Sequence, residues 1–292
     1  MKTMKTKLVL LTLLSALSLE PSALLQAATT IDPANRYAYA ANLGWMDGRG
    51  DTANGGVIGE YVCAGYLYAA NVGWISLGGG APANGIQYQN NSASDYGVNQ
   101  DGLGNLRGYA YGANIGWLNF ESTGAPKVDL ASGIFTGYAW SANCGWINLS
   151  NAVAYVQTDT IAAGMDSDAD GIPDAWELSK YGNLTTATGS SDYDGDGLSD
   201  KGEYLAGTNP LDSNDNLRIT IFSRGVPDPI RNHLEWTSQP SRFYAIQRRS
   251  AFEGGGWSDF VVFPWPGVDN AYWNDPSSQN FYRIRTFRPL MP

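Results

Sequence analysis

Apolar and polar positions alternate with a period of two through four copies of one unit before residue 150. The copies read RYAYAANLGWMDG (36–48), GYLYAANVGWISL (65–77), GYAYGANIGWLNF (108–120) and GYAWSANCGWINL (137–149). Their shared asparagines, Asn42, Asn71, Asn114 and Asn143, stand 29, 43 and 29 residues apart. A period of two sends alternate side chains to opposite faces of a strand. Asn and Gly in A-N-x-G tolerate positive φ and so predict a tight turn between two short strands. Tyr109 and Tyr111 then share one face, and Leu118 and Phe120 share a face opposite that of Trp117 and Asn119. Such self-similarity means one supersecondary unit stacked or set around an axis. With linking hairpins at 96–108 and 127–137, residues 29–158 predict an all-β sandwich or small barrel of about a dozen short strands.

A second alternating region begins after residue 216. Strands are expected at RITIF (218–222), HLEWT (233–237), FYAIQRR (243–249), SDFVVF (258–263) and FYRIRTF (281–287). Turns at PDP (227–229), EGGG (253–256) and NDPSS (274–278) separate them, which predicts a small β-sandwich over 216–292. The chain is therefore expected to be mainly β: a repeat-built sandwich or barrel, a short connector at 159–215, and a C-terminal β-sandwich.

The connector is where the pattern changes. One twelve-residue loop occurs twice, as DSDADGIPDAWE (166–177) and DYDGDGLSDKGE (192–203), with carboxylates at positions 1, 3, 5, 9 and 12 and glycine at position 6. Calcium is a hard cation that takes six to eight oxygens. Asp166, Asp168 and Asp170 can converge because Gly171 permits the bend. The Ile172 carbonyl supplies position 7, Asp174 acts directly or through water, and Glu177 closes the shell bidentately. Asp192, Asp194, Asp196, the Leu198 carbonyl, Asp200 and Glu203 repeat these roles around Gly197. At this acidic content, five prescribed acidic positions arise by chance on the order of once in 10⁵ starts. Residues 159–215 hold 13 acidic residues against two lysines, a net of −11 in a chain of net −10. About two Ca²⁺ ions would cancel four of those charges. Asp212 and Asp215 are further candidate ligands. The bland reading is a solvated acidic linker, which needs neither the glycines nor the apolar position 7.

Helix is expected only after each loop, over Ala175–Tyr181 before Gly182 and over Lys201–Ala206 before Gly207. The stretches WELSKYGNL (176–184) and DYDGDGLSDKGEYLAGTNP (192–210) resemble thrombospondin type 3 repeats and the dockerin-like class of half EF-hands. Dockerins usually carry Asp at the twelfth position, and Glu here favours the thrombospondin-like resemblance. That resemblance implies an extracellular calcium-binding structural segment. The GYAW-x-x-N-x-GWI units are similar to repeats in predicted bacterial surface proteins, which implies no activity. The C-terminal W-T-S-x-P-x-R-x-Y and F-Y-R-I-R segments resemble small fibronectin-like β-domains of secreted proteins.

Residues 1–28 read as a secretory signal: Lys2, Lys5 and Lys7 precede the apolar LVLLTLLSALSL (8–19), and Ala27 and Ala28 offer a cleavage site. No other stretch approaches a membrane span, so a secreted or cell-surface location is expected. Cys63 and Cys144 occupy apolar positions of the repeat; two buried thiols and one disulfide both remain open. Nine arginines against six acidic residues make 216–292 mildly basic, while low basic content before 216 argues against a nucleic-acid partner.

The aromatic set Tyr37, Tyr39, Trp45, Tyr66, Tyr68, Trp74, Tyr109, Tyr111, Trp117, Tyr138, Trp140 and Trp146 has two readings. It packs the interfaces between repeats, or it stacks sugar rings. Partners are accordingly calcium and either a cell-surface polysaccharide or another surface protein. The expected role is structural, with a carbohydrate-binding or adhesive module as the alternative and a polysaccharide-degrading enzyme as a third reading. No G-x-S-x-G, H-E-x-x-H or P-loop occurs. The sole histidine, His233, lies in an expected strand. Glu60, Glu121, Asp95, Asp101 and Asp129 are carboxylates with no spacing that singles out a pair.

Overall fold

A computed structural model describes residues 29–224, 231–250, 256–263, 266–273 and 281–290. The proposed leader at 1–28 and the turns at 227–229, 253–255 and 274–278 lie outside the described residues. The first thirteen strands are β1 (Ile31–Ala40), β2 (Gly44–Asp47), β3 (Val57–Ile58), β4 (Cys63–Ala69), β5 (Gly73–Gly79), β6 (Val98–Gln100) and β7 (Leu106–Gly112), followed by β8 (Gly116–Asn119), β9 (Lys127–Val128), β10 (Phe135–Thr136), β11 (Tyr138–Ser141), β12 (Gly145–Asn148) and β13 (Val156–Thr158).

Each repeat is one antiparallel hairpin: β1–β2, β4–β5, β7–β8 and β11–β12. Neighbouring hairpins pair in the same register around a ring, and β12 returns to β1 through Tyr39–Asn148 and Ala40–Ile147. The result is a closed eight-stranded antiparallel barrel, which leaves no sheet edge within the ring. Of the two expected architectures, the barrel is the one formed.

Small and large residues face each other across the hairpins inside the barrel, as in Ala38–Met46, Ala110–Leu118 and Ala139–Ile147. With Ile75, Leu106, Phe120, Phe135 and Leu149 they form one buried cluster. An eight-stranded barrel is narrow enough for side chains to fill, and the central void measures about 40 Å³ between apolar walls. The lumen is a core.

One sequence reading changes here. The turn glycines Gly44, Gly73, Gly116 and Gly145 all take positive φ, but the asparagines do not. Each asparagine instead donates its side-chain amide to a carbonyl of the adjacent hairpin turn. Asn42 reaches Cys144 (3.3 Å), Asn143 reaches Ile115 (2.9 Å), Asn114 reaches Val72 (2.9 Å) and Asn71 reaches Leu43 (3.0 Å). These four bonds form a closed ring that stitches one end of the barrel. The repeated Tyr and Trp rings contribute nothing to the buried barrel core. They lie outside the barrel and contact one another within their own hairpins, with Tyr68–Trp74 and Tyr111–Trp117 centroids each 4.9 Å apart. Cys63 and Cys144 are buried free thiols at the apolar positions expected of them, and burial pushes the Cys63 thiol up to about 12.

The connector contributes helices α1 (Asp174–Tyr181) and α2 (Asp200–Ala206), each ended by a left-handed glycine, Gly182 and Gly207. After them come β14 (Ile219–Arg224), β15 (Asn232–Trp236), β16 (Phe243–Arg249), β17 (Ser258–Phe263), β18 (Asn270–Trp273) and β19 (Phe281–Phe287). They make two three-stranded sheets, β14-β15-β18 and β17-β16-β19, around Leu234, Trp236, Tyr244, Ile246 and Phe263. The strand at 270–273 carries too short an alternation to stand out in the sequence. His233 is buried, with Nε2 2.6 Å from a Glu235 carboxylate oxygen and its ring stacked on Tyr272.

Candidate metal centre

Both acidic loops fold the same way because the same backbone bonds form in each. The Gly171 and Gly197 amides donate to Asp166 and Asp192 (both 3.0 Å), across the bend that their φ of 89° and 97° allow. The Ile172 and Leu198 amides donate to Asp170 (2.8 Å) and Asp196 (2.7 Å). Position 4 is also left-handed: Gly195 in the second loop, and Ala169 at φ 60° in the first.

These turns converge the first three carboxylates of each loop. Oxygens of Asp166, Asp168 and Asp170 lie within 4.8 Å of one another, and so do those of Asp192, Asp194 and Asp196. Glu177 on α1 and Glu203 on α2, expected to close the two shells, are fully buried but are not among the oxygens within 4.8 Å of one another. Among the described residues neither oxygen of Glu177 has a hydrogen-bond partner, nor have Glu203 Oε2, Asp166 Oδ1, Asp170 Oδ2, Asp194 Oδ2 and Asp196 Oδ2. Buried carboxylate oxygens without partners are costly unless a cation or a proton completes them. Burial, reinforced by the neighbouring aspartates, pushes Glu177 up to about 7 and Glu203 up to about 8. The donor set is all oxygen, which suits a hard cation.

The remaining acidic positions are engaged otherwise. Asp174 accepts from the Ser167 amide (2.7 Å) and hydroxyl (2.6 Å). Asp200 accepts from the Tyr193 amide (3.2 Å) and the Ser191 hydroxyl. Position 9 therefore staples the end of the loop to its beginning. Asp212 and Asp215 lie outside both triads: Asp212 accepts from Asn214, while Asp215 accepts from the Asn209 amide and the Gln239 side chain.

Residues 192–213 match the family model of the bacterial TSP3 repeat. The match holds the second loop, α2 and the chain as far as Ser213. TSP3 repeats are calcium-binding structural modules, and the aspartate triads have the composition to hold a metal. No curated protein matches the chain, and no solved structure does. Among the described residues no helix is long and apolar enough to cross a membrane.

The segment that holds the two loops is not an isolated linker. Ile172, Trp176, Ala187 and Tyr204 form its own small core, with Tyr61 of the barrel packed against it. Lys201 from the second loop donates to the Asp170 carbonyl of the first (3.0 Å), joining the two. Its outer contacts converge on Glu60, a buried barrel carboxylate. Tyr204 Oη donates to Glu60 Oε2 (3.1 Å), and Arg288 Nη2 reaches the same oxygen at 2.5 Å. Arg242 approaches Glu60 Oε1 at 3.8 Å and donates to the Tyr204 and Leu205 carbonyls, both at 2.8 Å. The Arg288 guanidinium sits 4.7 Å above the Tyr204 ring. One residue from the barrel, two from beyond β15 and one from α2 thus share a buried charge cluster. The sequence offered Glu60 only as one of five unassigned carboxylates and did not single out the other three, since nothing local marks them.

Proposed function

We propose that this protein is an extracellular structural or surface protein in which calcium locks the TSP3 segment and, through it, fixes the barrel to the C-terminal sandwich. The two ions would be held by Asp166, Asp168, Asp170, the Ile172 carbonyl and Glu177, and by Asp192, Asp194, Asp196, the Leu198 carbonyl and Glu203. Asp174 and Asp200 would serve as loop staples rather than direct ligands. One observation carries this reading: Glu203, the last ligand of the second loop, is followed directly by Tyr204, whose hydroxyl and carbonyl engage Glu60 and Arg242. Empty loops leave buried like charges that repel, and a bound cation removes that penalty. The free energy of calcium binding then stabilises α2 in the position that grips both β units. The secretory leader read at 1–28 supports an extracellular setting, where sites with Kd of about 10⁻⁴–10⁻³ M stay filled.

The test is calorimetric titration of calcium into chelator-treated protein, with limited proteolysis over 160–215 followed in parallel. About two sites and protection of that segment are expected. Absence of binding heat together with unchanged cleavage would remove the reading.

A further inference from the structure

The outside of the barrel carries an organised surface that the calcium reading does not use. Pairing registers place the outward side chains in four rows, each crossing four adjacent strands. One row runs Trp146, Trp140, Asn119, Tyr109. The others run Trp117, Tyr111, Ser76, Tyr66; Trp74, Tyr68, Asp47, Tyr37; and Trp45, Tyr39, Asn148, Tyr138. Every row therefore has the order Trp, aromatic, polar, Tyr. The tryptophans are 41–49% exposed, so these rings give up burial that a core position would provide.

The rows are not equivalent. Asp47 is occupied by Arg36 at 3.4 Å, and Gly50 packs against Tyr68 and Trp74. The first row instead borders two concave clefts. One, of about 200 Å³, lies between Trp140, Trp146, Asn119 and Glu121. The other, of about 420 Å³, lies between Tyr109, Trp117, Tyr96 and Asn91. Tyr109 and Asn119 are direct cross-strand partners, so the two clefts share one ridge. Their polar groups are held in place: Glu121 accepts the Gly108 amide at 2.9 Å, and Asn119 accepts the Glu121 amide at 2.6 Å.

We infer that these two adjoining clefts form a binding site for a neutral oligosaccharide, one sugar ring in each. Flat indole and phenol rings present π-faces to the apolar C–H face of a pyranose, and their N–H and O–H groups bond its edge. Amides and a carboxylate beside the rings match hydroxyl pairs. Neither cleft is lined by Lys or Arg, and Glu121 repels anions, so a neutral ligand is selected. A purely apolar ligand would strip water from the remaining hydrogen-bonding capacity of Asn119 and Glu121 without replacing it. A row of four strands spans roughly 14 Å at ordinary strand spacing, which suits a chain rather than a single sugar. This site stands independently of calcium.

The experiment titrates the full chain, with calcium present, against soluble hexasaccharides of glucose, xylose, mannose and N-acetylglucosamine, read by tryptophan fluorescence and calorimetry. Binding of at least one hexasaccharide is expected, with its monosaccharide weaker by about tenfold or more because only one cleft is filled. Trp140→Ala and Trp117→Ala each weaken it by about tenfold, Glu121→Gln weakens it less, and Trp45→Ala, on another row, leaves it unchanged. Circular dichroism of each variant shows whether the fold is kept; should Trp140→Ala unfold, Trp117→Ala and Glu121→Gln decide. The inference is overturned if the whole panel is silent, or if binding is indifferent to Trp117 and Trp140. It is equally overturned if those tryptophans instead drive self-association or uptake onto phosphatidylcholine vesicles.

Discussion

Glu177 and Glu203 are the residues whose protonation should report on the metal site. Burial and neighbouring aspartates raise both above the usual 4.5, to about 7 and about 8. An acid raised on folding favours the protonated folded state. Its contribution to the stability of the calcium-free protein is full below about 4.5 and is lost as pH rises through 7 to 8. The calcium-free protein should therefore denature at lower urea as pH goes from 5 to 8.5, and calcium should flatten that slope. Calcium affinity should rise over the same window, since the ion displaces those protons. Glu203→Gln separates the two effects: at pH 8 it stabilises the calcium-free protein and weakens calcium binding by about tenfold or more. A calcium-free urea midpoint that rises with pH would contradict this account. Ala169 offers a second residue-scale test. A non-glycine residue in the left-handed region costs about 1–2 kcal/mol, part of which glycine returns in chain entropy. Ala169→Gly, copying Gly195 of the second loop, should stabilise the protein by about 0.5–1 kcal/mol in thermal unfolding.

The hairpin is the element that the repeat encodes, and the asparagine ring is what joins the hairpins. Removing one link, as in Asn114→Ala, breaks a bond to the Val72 carbonyl. The loss should be about 1 kcal/mol by denaturant titration, with the hairpin itself intact because Gly116 still makes the turn. Strand and helix positions were mostly legible: 243–249, 258–263 and 281–287 match β16, β17 and β19 residue for residue, and α1 and α2 each begin one residue before the expected start. The N-terminal carboxylates Asp174 and Asp200 account for that extra residue, since acidic side chains favour a first helical turn. The outward placement of the aromatics was half legible. Alternation put Trp117 opposite Leu118, but which face meets the core depends on the curl of the closed barrel.

The molecule is held together where its parts meet, at Glu60. Two arginines and a tyrosine converge on this one buried carboxylate, and an ion cluster of that kind is costly once a member is removed. Glu60→Gln leaves Arg242 and Arg288 buried without their anion. It should cost about 3 kcal/mol or more, and it should make the 160–215 segment protease-sensitive even at saturating calcium. Unchanged proteolysis in that variant would mean that the cluster does not couple the barrel to the TSP3 segment. The other expected carboxylates have local duties: Asp95 accepts the Ala83 and Gln89 amides, Asp101 those of Leu103 and Asn105, and Asp129 those of Ala131 and Ser132.

Sequence alone determined what short windows can encode. A twelve-residue loop carries its own ligands and its own bend, so the two acidic motifs were readable without a fold. An A-N-x-G turn between alternating strands likewise specifies a hairpin by itself. Tertiary structure decided the rest, because burial of charge and closure of a sheet depend on residues that meet only in space. Tyr204 and Glu60 bond across 144 positions, and Asn42 and Cys144 across 102. No local pattern signals such pairs, since each residue becomes buried, and its partner necessary, only when the barrel closes and the TSP3 segment packs against it.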